Sequence, residues 1–201
     1  DYVTASHYFT SYYNTYPNGT YTELARFHSG KALFLDTPEP RLDQSSTFSA
    51  ISELQMFMEY FPASKRKTEA QQMIFELQDK LVMKDYLSAK LYYDLGTYVG
   101  NSSQTADGRI NGNNFLACIT TAQNALKDYP YTSMREEISI LLLRAKHKLG
   151  SESVLEKKEE RMRETIDEYY AFKNEFPESK YMKEVESIYK DASKYVKELN
   201  E

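Results

Sequence analysis

His7, His28 and His147 are the side chains of this sequence best suited to moving a proton or holding a metal, and their spacing serves neither use. They stand far apart, and none has a second His, a Cys or a carboxylate at ligand spacing. Carboxylate pairs such as Glu136 with Glu137 and Glu159 with Glu160 are neighbours in sequence. On a helix such neighbours diverge by about 100° around the axis, which makes them poor acid and base partners. No GxxxxGK[ST], GxGxxG or GxSxG occurs, so the phosphate loop, the dinucleotide fingerprint and the nucleophile elbow are all missing. The single cysteine, Cys118, lies in an apolar run with no His or basic residue close by; it reads as a small buried residue rather than a reactive thiol. These residues predict no catalytic, cofactor-binding or metal site.

Contact area is what the sequence supplies instead. It has 18 tyrosines, and tyrosine joins an apolar body to a polar tip that suits both packing and interfaces. Tyr16, Tyr129 and Tyr169 are expected on packing positions, whereas in Tyr12–Tyr13 and Tyr92–Tyr93 one ring of each pair is expected to face outward. The formal charge of −5 argues against nucleic acid as a partner. No stretch approaches the roughly 18 apolar residues of a membrane span. The chain opens at Asp1, reads as helix from its start, and is expected to be an N-terminally truncated piece of a longer protein, so a missing targeting segment carries no weight.

The elements that must carry these tyrosines announce themselves at four prolines. YYNTYPNGTY, MEYFPASKRK, LKDYPYTSMR and KNEFPESKYM centre on Pro17, Pro62, Pro130 and Pro177, at successive intervals of 45, 68 and 47 residues. An aromatic precedes each proline (Tyr16, Phe61, Tyr129, Phe176), and a small residue follows two positions on (Gly19, Ser64, Thr132, Ser179). Proline cannot continue a helix and disfavours helical backbone in the residue before it, while Ser or Thr caps the next helix. Each motif therefore predicts a helix–turn–helix corner. Twelve residues before each proline stands Ala5, Ala50, Cys118 or Thr165, and eight before it Phe9, Leu54, Ala122 or Tyr169, a small position followed by a packing position.

Helical apolar stripes surround the corners: Phe48, Ile51, Leu54, Phe57 and Phe61; Ala70, Ile74, Leu77 and Leu81; Leu116, Ile119, Ala122 and Leu126. The pattern predicts helices at about 1–16, 21–35, 46–61, 65–98, 114–129, 133–148, 153–176 and 180–199, the fourth breaking near Lys84 and Asp85. Two loops interrupt them, DTPEPRLDQS at 36–45 and the Gly/Asn/Ser-rich segment at 100–114. The charge run LEKKEERMRE reads as a solvated helix face. A single hairpin cannot hide its apolar stripe, so successive hairpins must stack. The expected fold is all-α, a right-handed superhelical solenoid of tetratricopeptide-like hairpins, with an array over 1–150 and a C-terminal hairpin extension over 151–201 packed on it. YLSAKLYYDLGTY resembles the first helix of a tetratricopeptide repeat, although the intervals depart from a 34-residue period.

At the level of motifs, ARFHSGKALFL, LDQSSTFSAISELQMFMEYFPASKRKTEA, KLVMKDYLSAKLYYDLGTYVGN, NNFLACITTAQNALKDYP and SMREEISILLLRAKHKL together resemble the BamD family, outer-membrane protein assembly lipoproteins of Gram-negative bacteria, in the form carried by Bacteroides-type organisms. ERMRETIDEYYAFKNEFPESKY looks like the C-terminal extension of that group. The resemblance implies a periplasmic scaffold without enzymatic activity, held at the outer membrane by an N-terminal lipid that this piece lacks. Its implied partners are the periplasmic domains of the barrel-assembly protein, other assembly subunits and unfolded β-barrel substrates. Positions expected to line the partner face, together with the loops, are Arg41, Asp43, Lys84, Tyr86, Lys90, Tyr93 and Arg109. Two other readings stay open: a generic repeat adapter, and a surface glycan-binding repeat protein, against which the absence of Trp counts.

Overall fold

The computed structural model describes residues 1–97 and 113–196, which divide into two compact units, Asp1–Lys84 and Asp85–Glu201. Among the described residues all regular structure is helical: α1 (Tyr2–Thr15), α2 (Thr22–Asp36), α3 (Ser45–Tyr60), α4 (Lys67–Leu95), α5 (Asn114–Asp128), α6 (Arg135–Ser151), α7 (Leu155–Glu175) and α8 (Met182–Ala192), closed by a 3-10 turn at Ser193–Tyr195. The all-α expectation holds. The break expected near Lys84 and Asp85 is absent from the backbone, since α4 is one helix there; the boundary between the two packing units falls at that place instead.

All four corners have the same geometry. The aromatic before each proline leaves the helix at φ/ψ of −126/69 (Tyr16), −127/63 (Phe61), −128/68 (Tyr129) and −127/62 (Phe176). The clash of the proline ring with the preceding residue dictates that exit from helical space. Each of these residues still donates its N–H to the carbonyl four residues back, closing the helix, and its own carbonyl accepts the N–H of Gly19, Ser64, Thr132 or Ser179 at 3.0 to 3.2 Å. Ser64, Thr132 and Ser179 then accept the N–H two residues on, from Arg66, Met134 and Tyr181. Each hydroxyl thus closes a local turn just before the next helix begins.

In the first unit α2 packs against α1 and α3. Phe27, Ala50, Leu54, Phe57, Ala70, Met73, Ile74 and Leu77 form its core. Gly30 allows α2 and α3 to approach closely, because a Cβ there would stand 2.7 Å from Leu54 Cδ2. Small hydroxyls serve the same purpose between α1 and α2, where Ser6 and Ser29 meet Oγ to Oγ at 3.0 Å.

In the second unit α6 lies against both α5 and α7 and is buried on all sides over residues 138–143. A helix apolar all round belongs inside a layer. Ile140, Leu143, Tyr169, Phe172, Val185 and Ile188 form one core and Met162, Ile166, Ala192 and Val196 another. Ion pairs tie α6 to its neighbours: Arg144 is bidentate to Glu184 at 2.6 Å, Lys146 meets Glu168 at 2.7 Å, and Arg135 reaches Glu175.

Three expected packing positions face solvent instead. Tyr16 swings out with the corner backbone and only tilts against Tyr12, and Phe48 and Leu116 lie outside their stripes. Counting in steps of three loses about 60° per step against a 100° rise per residue. The true core faces therefore centre on Ala50, Leu54 and Phe57 in α3 and on Cys118, Ala122 and Ala125 in α5.

Candidate protein-binding surfaces

The proline-rich loop of the first unit is held by groups that reach it from α4. Lys80 donates to the hydroxyl and carbonyl of Thr37, and Lys84 donates to the carbonyl of Leu42 at 3.0 Å. From beneath, the buried Gln44 donates to the carbonyls of Glu39 and Leu42, and its own carbonyl accepts from Thr47 at 2.7 Å. Burial lowers the Lys80 ammonium below the usual lysine range, the cost of using a cation as an internal carbonyl cap. Arg41 and Leu42 are left exposed at the tip of the loop. Asp43, two residues before α3, accepts the Ser45 N–H on Oδ1 at 2.9 Å, and bonds from the Ser45 hydroxyl and N–H hold its carboxyl below the ordinary range.

The same unit carries an apolar cleft of about 320 Å³ lined by Tyr8, Phe9, Tyr12, Tyr21, Leu24, Ala25 and His28. His28 stacks on Phe9 with centroids 5.5 Å apart. Burial, with Lys31 and Arg66 nearby, pushes its imidazole below the usual range, so the ring is neutral at neutral pH and the cleft floor uncharged. Of the Tyr12–Tyr13 pair, Tyr13 turns inward and Tyr12 lines the cleft. The rest of this surface was not foreseen from the sequence; the i,i+4 aromatics Tyr8 and Tyr12, together with Tyr21 just past the corner, were the available signal.

In the second unit Tyr86 is half-buried, and Lys90 is exposed and bonded to Asp94 at 3.0 Å, which raises its ammonium. Tyr93 lies half-buried and edge-on to Phe115, and burial raises its phenol, while Tyr92 carries the outward ring. Phe115 is seated over Gly96, whose φ of +54° ends α4 in a left-handed turn that only glycine adopts readily. Of the expected partner-face positions, the structure thus places Arg41, Asp43 and Lys84 at one loop of the first unit and Tyr86, Lys90 and Tyr93 along α4 in the second; Arg109 lies outside the described residues.

Cys118 is buried and its thiol is pushed up to about 12, chiefly by that burial. Among the described residues no group of three His, Cys, Asp or Glu side chains is gathered to hold a metal, and no helix is long and apolar enough to cross a membrane.

Helices joined by repeated corners, with exposed aromatic and loop surfaces, define an all-α protein among the described residues. The chain matches the YfiO family, described as an outer membrane lipoprotein, over residues 1–161. It belongs to that family. No curated protein matches the chain.

Proposed function

We propose that this protein is a scaffold subunit of the outer-membrane β-barrel assembly machinery, of the BamD kind found in Bacteroides-type organisms. In this reading it works at the periplasmic face of the outer membrane, anchored through a lipid on a preceding segment. It docks the periplasmic domains of the barrel-assembly protein and its companion subunits, and helps deliver unfolded outer-membrane proteins. The observation that carries the reading is the family match over 1–161. The like backbone exits of the four corners support a tetratricopeptide-like array, whose right-handed solenoid is part of this proposal. We assign the array to 1–150 and the C-terminal extension to 151–201.

Docking is assigned to Arg41 and Asp43 on the held loop, with Lys84 and Arg109, and to Tyr86, Lys90 and Tyr93. A loop tied down in the free protein loses little entropy on binding, which favours a partner contact there. The aromatic cleft of α1 and α2 suits apolar side chains of an unfolded substrate. The reading is tested by co-purification of the tagged full-length protein from solubilised outer membranes. Recovery of the barrel-assembly protein, reduced by the double charge reversal Arg41→Glu with Lys90→Glu, is the expected result; recovery of neither that protein nor any assembly subunit contradicts it.

A further inference from the structure

Arg26 is the cation of the first unit whose surroundings call for a ligand. Its guanidinium carbon lies over the ring of Tyr13 and over the ring of Tyr60, 4.1 Å from each centroid. Among the described residues it donates no hydrogen bond and forms no ion pair. Three other long cations of the unit are committed: Lys31 to Glu69, Arg66 to Glu23 and Lys80 to Thr37. Stacking on rings satisfies the π faces of a guanidinium but none of its N–H groups, which lie in the plane of the fork. The result is a bidentate donor held at fixed orientation, partly exposed, with no acceptor among the described residues.

The arrangement is not a packing device of the repeat. Corner geometry recurs in both units, so a stack required for packing would recur with it. At the equivalent distances from Pro130 and Pro177 the second unit has Leu126 in place of Tyr13, Ser139 in place of Arg26 and Glu175 in place of Tyr60. Only the carboxylate between them is shared. Glu53 is buried and accepts the Tyr13 hydroxyl at 2.9 Å, while its counterpart Glu168 pairs with Lys146. Glu53 lies behind Tyr13 and offsets much of the local positive charge, and the chain as a whole carries −5. A doubly charged phosphate is therefore poorly served, whereas a singly charged planar anion matches the fork in both shape and charge.

We propose that Arg26, framed by Tyr13 and Tyr60, is a recognition site for one carboxylate of a protein partner, either an Asp or Glu side chain or a chain terminus. The site is independent of which assembly the protein serves.

The test uses the full 15N-labelled chain and follows the Arg26 Nε–Hε resonance. Four tripeptides are titrated at constant ionic strength: acetyl-Ala-Glu-Ala-amide, its Gln counterpart, acetyl-Ala-Ala-Ala with a free carboxyl end, and the phosphoserine counterpart. A saturable shift with the Glu peptide, the free-ended peptide or both, and none with the Gln peptide, is the expected result, and the arm that responds identifies the source. Arg26→Lys keeps the charge but loses the fork and is expected to weaken binding about tenfold. Tyr60→Leu, at an exposed helix end, keeps the fold by circular dichroism and weakens binding similarly. The proposal is overturned by an equal response to the Gln peptide, by tighter binding of the phosphopeptide, by Arg26→Lys binding undiminished, or by no response to any of the four.

Discussion

The hydroxyl of Ser64 donates to the carboxylate of Glu23 at 2.6 Å while its oxygen accepts the N–H of Arg66. The same pair recurs in the second unit, where Ser179 donates to Glu136 at 2.6 Å and accepts from Tyr181. Glu23 and Glu136 each stand six residues after a corner proline, in the first turn of α2 and α6. One serine thus closes the turn that leads into its helix and fastens that helix start to the helix start of the preceding corner. The carboxylates also sit favourably against the positive helix ends.

Removing the hydroxyl should be felt as more than a lost turn. Ser64→Ala and Ser179→Ala are each expected to cost about 1–2 kcal/mol in denaturant unfolding. Glu23→Gln in a double-mutant cycle with Ser64→Ala should show coupling, and additive effects would mean that the latch carries no energy of its own.

Two glycines respond oppositely to alanine. At Gly30 the new Cβ meets Leu54 Cδ2 at 2.7 Å and Cγ at 3.0 Å, with the Leu54 backbone nitrogen at 3.4 Å behind them. Overpacking of about 1–3 kcal/mol there outweighs the roughly 1 kcal/mol gained in helix propensity. At Gly150 the nearest atom is the Met162 sulfur at 3.0 Å, a flexible side chain that gives way. Gly30→Ala should lower the urea midpoint and Gly150→Ala should leave it level or raise it.

Acid should loosen the second unit through α8. Bonds from His147 and Lys194 depress the Asp191 carboxyl, and the Arg144 bond depresses that of Glu184. A carboxyl lowered on folding contributes stability above its unfolded pKa of about 4 and loses it as pH falls through the folded value. Stability should therefore decline progressively below about pH 4, with a shallower slope in Asp191→Asn and Glu184→Gln, as followed by circular dichroism across an acid titration. Unchanged slopes in both variants would remove these pairs from the account.

Cys118, 0 % exposed and with its thiol raised to about 12, should resist a thiol reagent at pH 8 in the native protein and react fully in urea. Rapid native labelling would show that α5 opens readily.

The corners were legible because their cause is local: an aromatic, a proline and a small residue fix the backbone within a few residues, and the helix limits follow to within a few positions except in the last, where the α-helix ends at Ala192 rather than 199. Face assignment was less secure, and Phe48 and Leu116 show why, since steps of three rotate out of a stripe that steps of three and four would have kept. Tyr16 had the right position in the motif but the wrong side of a backbone exit. Anchoring of the 36–45 loop by Lys80 and Lys84, the Glu23 and Glu136 latches and the Arg26 stack all join residues some 13 to 43 positions apart on different elements. No local pattern specifies them. Of the partner-face positions, membership of the proline-rich loop pointed to Arg41 and a first-helix position to Lys90, but the internal bonds of Asp43 and Lys84 and the seating of Tyr93 on Phe115 appear only once the helices are placed.

The most direct measurement is size-exclusion chromatography of this chain mixed with the purified periplasmic domains of the barrel-assembly protein, run beside a glycan array. Co-elution as a complex that the Arg41→Glu, Lys90→Glu double variant weakens, with no glycan bound, is the predicted result. Separate elution at every concentration, or binding to glycans alone, would contradict the assignment of this protein as an assembly scaffold.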